Sequence, residues 1–168
     1  MSHSIPTQIW PSEFVQRYQQ AGYWRGETFG AMLRQRAEQY PDRVAVVGGS
    51  QRLTYADLDK QASAIAAGLL QKGLKKGDRV IVHLPNIPEF ISAIFGLFRA
   101  GLIPLYALPA HRITEIEHFA KTGGAKAYLC ADNHSGFDYR ELAAELKQRY
   151  PELQDIFVVG DAGDYTPF

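Results

Sequence analysis

Apolar positions in this chain follow two rhythms. One returns every three or four residues and predicts helices. The other runs apolar for about five residues and predicts buried strands. Ser12 to Gly22 is the first helical stretch, with Phe14, Val15 and Tyr18 on one face and Ser12 placed to cap it. Thr28 to Tyr40 is the second, carried by Phe29, Met32, Leu33 and Ala37 and stopped at Pro41-Asp42. Arg43 to Val47 reads as a strand, Gly48-Gly49 as a turn, and Gln51 to Thr54 as the returning arm of a hairpin. The helix after Thr54 gathers Leu58, Ala62, Ile65, Ala66, Leu69 and Leu70 on one side and ends at Gly73.

From Val80 onward strands and helices alternate. Val80 to Leu84 lacks polar alternation, as expected of a strand covered on both faces. Helix Pro88 to Arg99, strand Leu102 to Leu108, helix Ile113 to Lys121 and strand Ala127 to Ala131 follow. A polar loop, Asp132 to Gly136, leads to helix Tyr139 to Tyr150 and strand Asp155 to Val159. This order predicts an α/β fold: a doubly wound, mostly parallel sheet with helices on both faces. Capping boxes are expected at Thr54–Asp57, Asn86–Glu89 and Asp138–Glu141, each a short polar residue three before an acid.

Composition narrows the function classes. The 168 residues carry 18 basic and 18 acidic side chains, so the formal net charge is zero and no broad basic face is available for nucleic acid. A hydrophobic share of 46% suits a buried core. Phe90 to Ala110 holds one charge, Arg99, but Gly101, Pro104 and Pro109 argue against a membrane span. Met1 to Phe14 lacks the basic and apolar regions of a leader, and Cys130 is a single thiol, so a cytoplasmic protein is expected.

In a doubly wound fold, ligands bind beyond the carboxyl ends of the strands. The candidate loops are Pro85-Asn86, Pro109 to Arg112 and Asp132 to Gly136. His111 and Arg112 open a helix there and form the candidate anion-binding pair; the plainer alternative is a polar helix start. His83 interrupts an apolar strand and reads as a hydrogen-bonded core residue. His118 and His3 lack a partner at metal-ligand spacing, so no metal residue is assigned. Cys130 reads as an inert apolar filler. No GxGxxG, GxxxxGK[ST] or GxSxG motif is present, and no catalytic or cofactor-binding residue is assigned.

Three segments, in order, resemble the adenylate-forming superfamily. Leu53-Thr54-Tyr55-Ala56-Asp57-Leu58 resembles its first core motif. Gly77-Asp78-Arg79-Val80 with Leu84-Pro85-Asn86-Ile87-Pro88-Glu89-Phe90 resembles the next segment, and Phe98 to Leu105 the second core motif. Trp10 to Phe14 with Tyr18 and Gly22-Tyr23-Trp24 is similar to the N-terminal arm of aryl-acid–AMP ligases. Leu105 to Arg112, followed by Glu115-Ile116, resembles a loop of 2,3-dihydroxybenzoate–AMP ligases.

The resemblance implies an arm at 1–27 and an α/β subdomain at 28–168, the N-terminal part of a longer enzyme. It implies a parent that uses ATP and Mg²⁺ to activate 2,3-dihydroxybenzoate, or a related acid such as salicylate, for siderophore assembly. The aryl group then passes to the phosphopantetheine thiol of an aryl carrier protein. The family's phosphate loop, acid pocket, ribose-binding Asp and C-terminal Lys match no position here, so this chain alone is expected to be inactive. The alternative is a non-catalytic module of the same fold that binds a small molecule or a carrier protein. An open sheet edge is also expected to promote self-association.

Overall fold

The computed structural model describes residues 10–168. His3 and the first part of the expected arm lie outside the described residues. The first helix, α1 (Ser12–Gln20), buries none of its residues. Its N-cap is Pro11 rather than Ser12, and no side chain caps it. Proline fixes φ and lets the chain enter the helix at the next residue. Tyr18 gathers the rings of Phe14, Tyr23 and Trp24 around itself.

Helix α2 (Phe29–Gln39) starts where Thr28 accepts a hydrogen bond from the Ala31 N–H. Strands β1 (Val44–Gly48) and β2 (Gln51–Thr54) form the expected antiparallel hairpin. Thr54 and Asp57 then make a complete capping box on α3 (Tyr55–Gln71). Leu33, Leu58 and Ala62 form a small core between α2, α3 and the hairpin. Arg99 ties three helices across it. Its guanidinium meets Asp59 at 2.5 Å on α3 and the Gly30 carbonyl at 3.3 Å on α2. Leu70, expected inward, is 47% exposed, because Leu69 beside it takes the buried position and the helix turns the next side chain away.

The main sheet is parallel and five-stranded. Its strands are β3 (Arg79–His83), β4 (Ile103–Tyr106), β5 (Ala125–Ala131), β8 (Asp155–Val159) and β9 (Thr166–Pro167), in spatial order β4-β3-β5-β8-β9. Between β3 and β4 runs α4 (Pro88–Ala100), and between β4 and β5 runs α5 (Ile113–Gly123). Helix α6 (Tyr139–Arg149) joins β5 to β8. The chain steps one way from β3 to β4, then back past β3 to β5 and on to β8. Right-handed crossovers in opposite directions put α4 on one face and α5 and α6 on the other, as the doubly wound expectation requires. Helix α3 packs on α4, and α5 on α6. The core runs through the central strands, where Ile81, Val82, Tyr128 and Leu129 have at most 1% exposure. Among the described residues no helix is long and apolar enough to cross a membrane.

Strand β4 is shorter than Leu102 to Leu108. It lies at the sheet edge, so Ile103, Tyr106 and Leu108 are exposed rather than buried. Ile103 and Ala107 donate their N–H groups inward to β3, at the Asp78 and Val82 carbonyls. Parallel pairing then turns Pro104 and Tyr106 outward. At the opposite edge Phe168 donates to Val158, which turns Pro167 outward. Proline has no N–H, so each edge presents a gap where a pairing strand would seek a donor. Edge-to-edge self-association, expected from the sequence, meets that obstacle on both sides.

Candidate functional site

Strands β3 and β5 are neighbours whose onward connections run in opposite directions, so the ligand end of the fold lies beyond His83 and Ala131. Three loops meet there. The first, Leu84 to Ile87, leads into α4, whose N-cap is Ile87 with no side-chain cap and Pro88 in the first turn. The capping box expected at Asn86 is therefore absent. Proline at the helix start removes one orphan donor and presets φ, so the start forms without it.

The second loop runs from Ala107 to Arg112. His111 accepts the Leu108 N–H on Nδ1 at 3.2 Å. Arg112 donates through Nη1 to the Pro109 and His111 carbonyls, at 2.8 and 2.7 Å. The same guanidinium lies 3.9 Å over the Phe137 ring. Glu115 accepts the Arg112 N–H at 2.9 Å, and that contact holds its carboxyl below the usual range. So the two sequence-predicted residues sit together at the ligand end, with part of their bonding capacity directed into their own loop.

The third loop, expected to be irregular, is a small hairpin of β6 (Asn133–His134) and β7 (Phe137–Asp138). Ser135 and Gly136 both have positive φ, 52° and 79°, the backbone of a tight hairpin turn. Asp138 caps α6 by accepting the Arg140 N–H, without a reciprocal bond to Glu141. Its carboxylate instead pairs with the Arg140 side chain, which also reaches Asp161 at 2.9 Å. Asp132 accepts from the backbone N–H groups of Asp161 and Asn133, and these bonds lower its pKa. Gly160 makes this possible: its φ is 102°, and a Cβ there would fall 2.4 Å from Asp132 Oδ2.

Beneath these loops lies a buried polar group that sequence reasoning placed but did not connect. His83 has no exposure, and its Nδ1 is 2.7 Å from the Tyr128 hydroxyl. The Tyr139 ring meets its imidazole edge-on at 4.9 Å, while the Tyr139 hydroxyl donates to the Pro109 carbonyl at 2.8 Å. His83 Nε2 has no hydrogen-bond partner. Burial lowers the His83 pKa to about 4; the nearby Leu108 and Pro109 carbonyls oppose that, and His111 and Arg112 add to it. The signal in the sequence was one polar residue inside an apolar strand. Tyr128 and Tyr139 carried no separate mark. Burial pushes the Cys130 thiol up to about 12, in line with an inert filler.

Open volume lies elsewhere. A groove of about 440 Å³ separates α3 from the last strand, lined by Ile65, Gly68, Phe157 and Phe168. A larger hollow of about 810 Å³ opens at the amino end of the sheet, among Arg79, Lys121, Lys126 and Arg149. Two of these cations lie in the last turns of α5 and α6, where positive charge faces the helices' free carbonyls. Among the described residues, no group of three or more His, Cys, Asp or Glu side chains gathers to hold a metal ion.

Comparison with known proteins gives the family. The model of AMP-binding enzymes matches residues 33–165. The chain is 46% identical over 158 residues to the 2,3-dihydroxybenzoate-AMP ligase of Bacillus subtilis, covering 94% of this chain and 29% of that protein. It is 42% identical to the salicyl-AMP ligase / salicyl-S-ArCP synthetase of Mycobacterium tuberculosis, covering 93% of this chain and 28% of the relative. The apo structure of Mycobacterium smegmatis MbtA superposes with a TM-score of 0.88 at 42% identity, over 95% of this chain and 29% of that one. The chain thus spans under a third of the length of these relatives, and it belongs to the family of AMP-binding enzymes.

Proposed function

We propose that this chain is the N-terminal part of an aryl-acid–AMP ligase. In that reaction a carboxylate oxygen of 2,3-dihydroxybenzoate, or of a related acid such as salicylate, attacks the α-phosphorus of ATP. The bond to the β-phosphate breaks, and pyrophosphate leaves. The aryl-adenylate then acylates the phosphopantetheine thiol of an aryl carrier protein, and AMP departs. The observation that carries this reading is the 46% identity across 94% of the chain to a protein named for that activation.

The chain's own part is to build the sheet and the three loops at its carboxyl end. His111 and the remaining N–H groups of Arg112 serve as contacts for an anion at the edge of the completed site. No catalytic residue is assigned within these residues. ATP binds in the longer protein. Mg²⁺ would neutralise phosphate charge there; among the described residues no group of three or more His, Cys, Asp or Glu side chains gathers to hold it.

ATP–pyrophosphate exchange with 2,3-dihydroxybenzoate tests the proposal. The purified 168-residue chain should show no exchange, and a longer chain that continues it to the length of its relatives should be active. Exchange by the short chain would overturn the assignment of the catalytic groups to the longer protein. Calorimetric binding of the aryl acid by the short chain, with no exchange by the long one, would favour a binding module.

A further inference from the structure

We propose that the amino end of the parallel sheet carries an oligophosphate site, with Arg79 on β3 and Lys126 on β5 as its anion-binding residues. The inference goes beyond the ligase reading and does not depend on it. Three observations carry it. Both side chains line the hollow of about 810 Å³ at that end, and both residues are half-buried. Among the described residues neither side chain has an ion pair or a hydrogen bond. The pairing of β3 with β5 shifts between them: Arg79 lies opposite Ala125 and Val80 opposite Ala127, so Lys126 is the extra residue of a bulge. A bulge re-aims a side chain, and this one brings Lys126 to the same hollow as Arg79.

The fold accounts for the other two cations but not for these. Lys121 and Arg149 face helix carbonyls in the last turns of α5 and α6, and both pair with Glu117. Arg79 and Lys126 lie on strands and end no helix. Glu152, the one acid in the lining, pairs with neither. Two like charges partly out of water repel each other, and an anion between them removes that cost. Their chemistry names its class. A guanidinium fork holds two oxygens of one phosphate, and an ammonium adds a point charge for an oxygen on the next. A single phosphate occupies one of them; a diphosphate or triphosphate reaches both. The floor has room for it: Arg79 Nη1, at 4.0 Å, is the one atom within 4 Å of where a Cβ on Gly124 would stand.

Titration of the ¹⁵N-labelled chain with magnesium-free sodium pyrophosphate tests the site, with inorganic phosphate at equal ionic strength as the comparison. Pyrophosphate should saturate, with its largest shifts on the amides of Gly123, Gly124 and Lys126. It should bind about tenfold more tightly than phosphate, since it engages a second cation. Arg79→Gln and Lys126→Gln should each weaken pyrophosphate about tenfold, the worth of one charge-assisted hydrogen bond. Arg79→Lys keeps the charge and loses the fork, so its affinity should fall between those of the parent and Arg79→Gln. Shifts centred on His111 and Arg112, equal affinity for phosphate and pyrophosphate, or parent-like affinity in both Gln variants would each overturn the proposal. If the Gln variants do not fold, the parent's shift map and Arg79→Lys decide: parent-like affinity in Arg79→Lys would then overturn it.

Discussion

At the carboxyl end of the parallel sheet, loops are fixed by short contacts to buried or capped groups. Asp132 holds two backbone N–H groups, Tyr139 holds Pro109, and His83 lies wholly inside. At the amino end, Arg79, Lys121, Lys126 and Arg149 surround an open hollow, and the pairs that form, such as Arg149 with Glu117 and Glu145, lie near water. Both ends are polar, yet they differ in what a lost contact costs. A buried group without a partner keeps its desolvation penalty, whereas an exposed ion regains water. Shape is therefore fixed at the ligand end, and the opposite end tolerates change.

The contrast is open to attack in order of effect. Gly160→Ala should be the most damaging change. It places a methyl against Asp132 at a backbone angle that side chains avoid, and strain plus the lost backbone hydrogen bonds of Asp132 amount to about 4 kcal/mol. Urea unfolding measures this; a loss below about 1 kcal/mol would show that the carboxyl end is softer than described. Acid comes next. The His83 pKa falls from 6.5 to about 4 on folding, so the unfolded chain binds more protons in that window. Stability is then complete above about 6.5 and is lost as pH falls toward 4. The loss is about 3 kcal/mol. Tyr128, Tyr139, His111 and Arg112 face this ring, and none of them supplies a carboxylate to offset its charge. His83→Gln should flatten the slope between those limits, and an unchanged slope would remove His83 as its source. Arg149→Ala, at the amino end, is expected to leave the urea midpoint where it is. A clear downward shift there would erase the distinction between the two ends.

Much of the fold was legible because strands buried on both faces and helices with one apolar side leave strong periodic signals. Val80 to Leu84 and the stretch after Thr54 are examples. The parts that were missed had weak local signals. Strand β9 is two residues long and exists through its pairing with β8. The hairpin at Asn133 to Asp138 reads as a polar loop until Ser135 and Gly136 are seen turning together. The capping box at Asn86 failed because Pro88 provides another way to start a helix. At the ligand end His111 and Arg112 were found by position, since they follow a strand and open a helix. The ring under Arg112 was not, because Phe137 lies more than twenty residues away and comes near only when the β6–β7 hairpin folds against this loop. The resemblance to aryl-acid ligases rested on ordered motifs and named the family; the contacts at the site came from the folded chain.

The outward prolines at Pro104 and Pro167 bear on how a long protein is made. Under the ligase reading, this segment leaves the ribosome before the larger remainder of the protein. It waits for the remainder, which at ordinary synthesis rates arrives over tens of seconds. During that wait, neighbouring nascent chains on one message are close enough to join strand to strand. A sheet with a missing donor at each margin offers them a poor template for strand pairing.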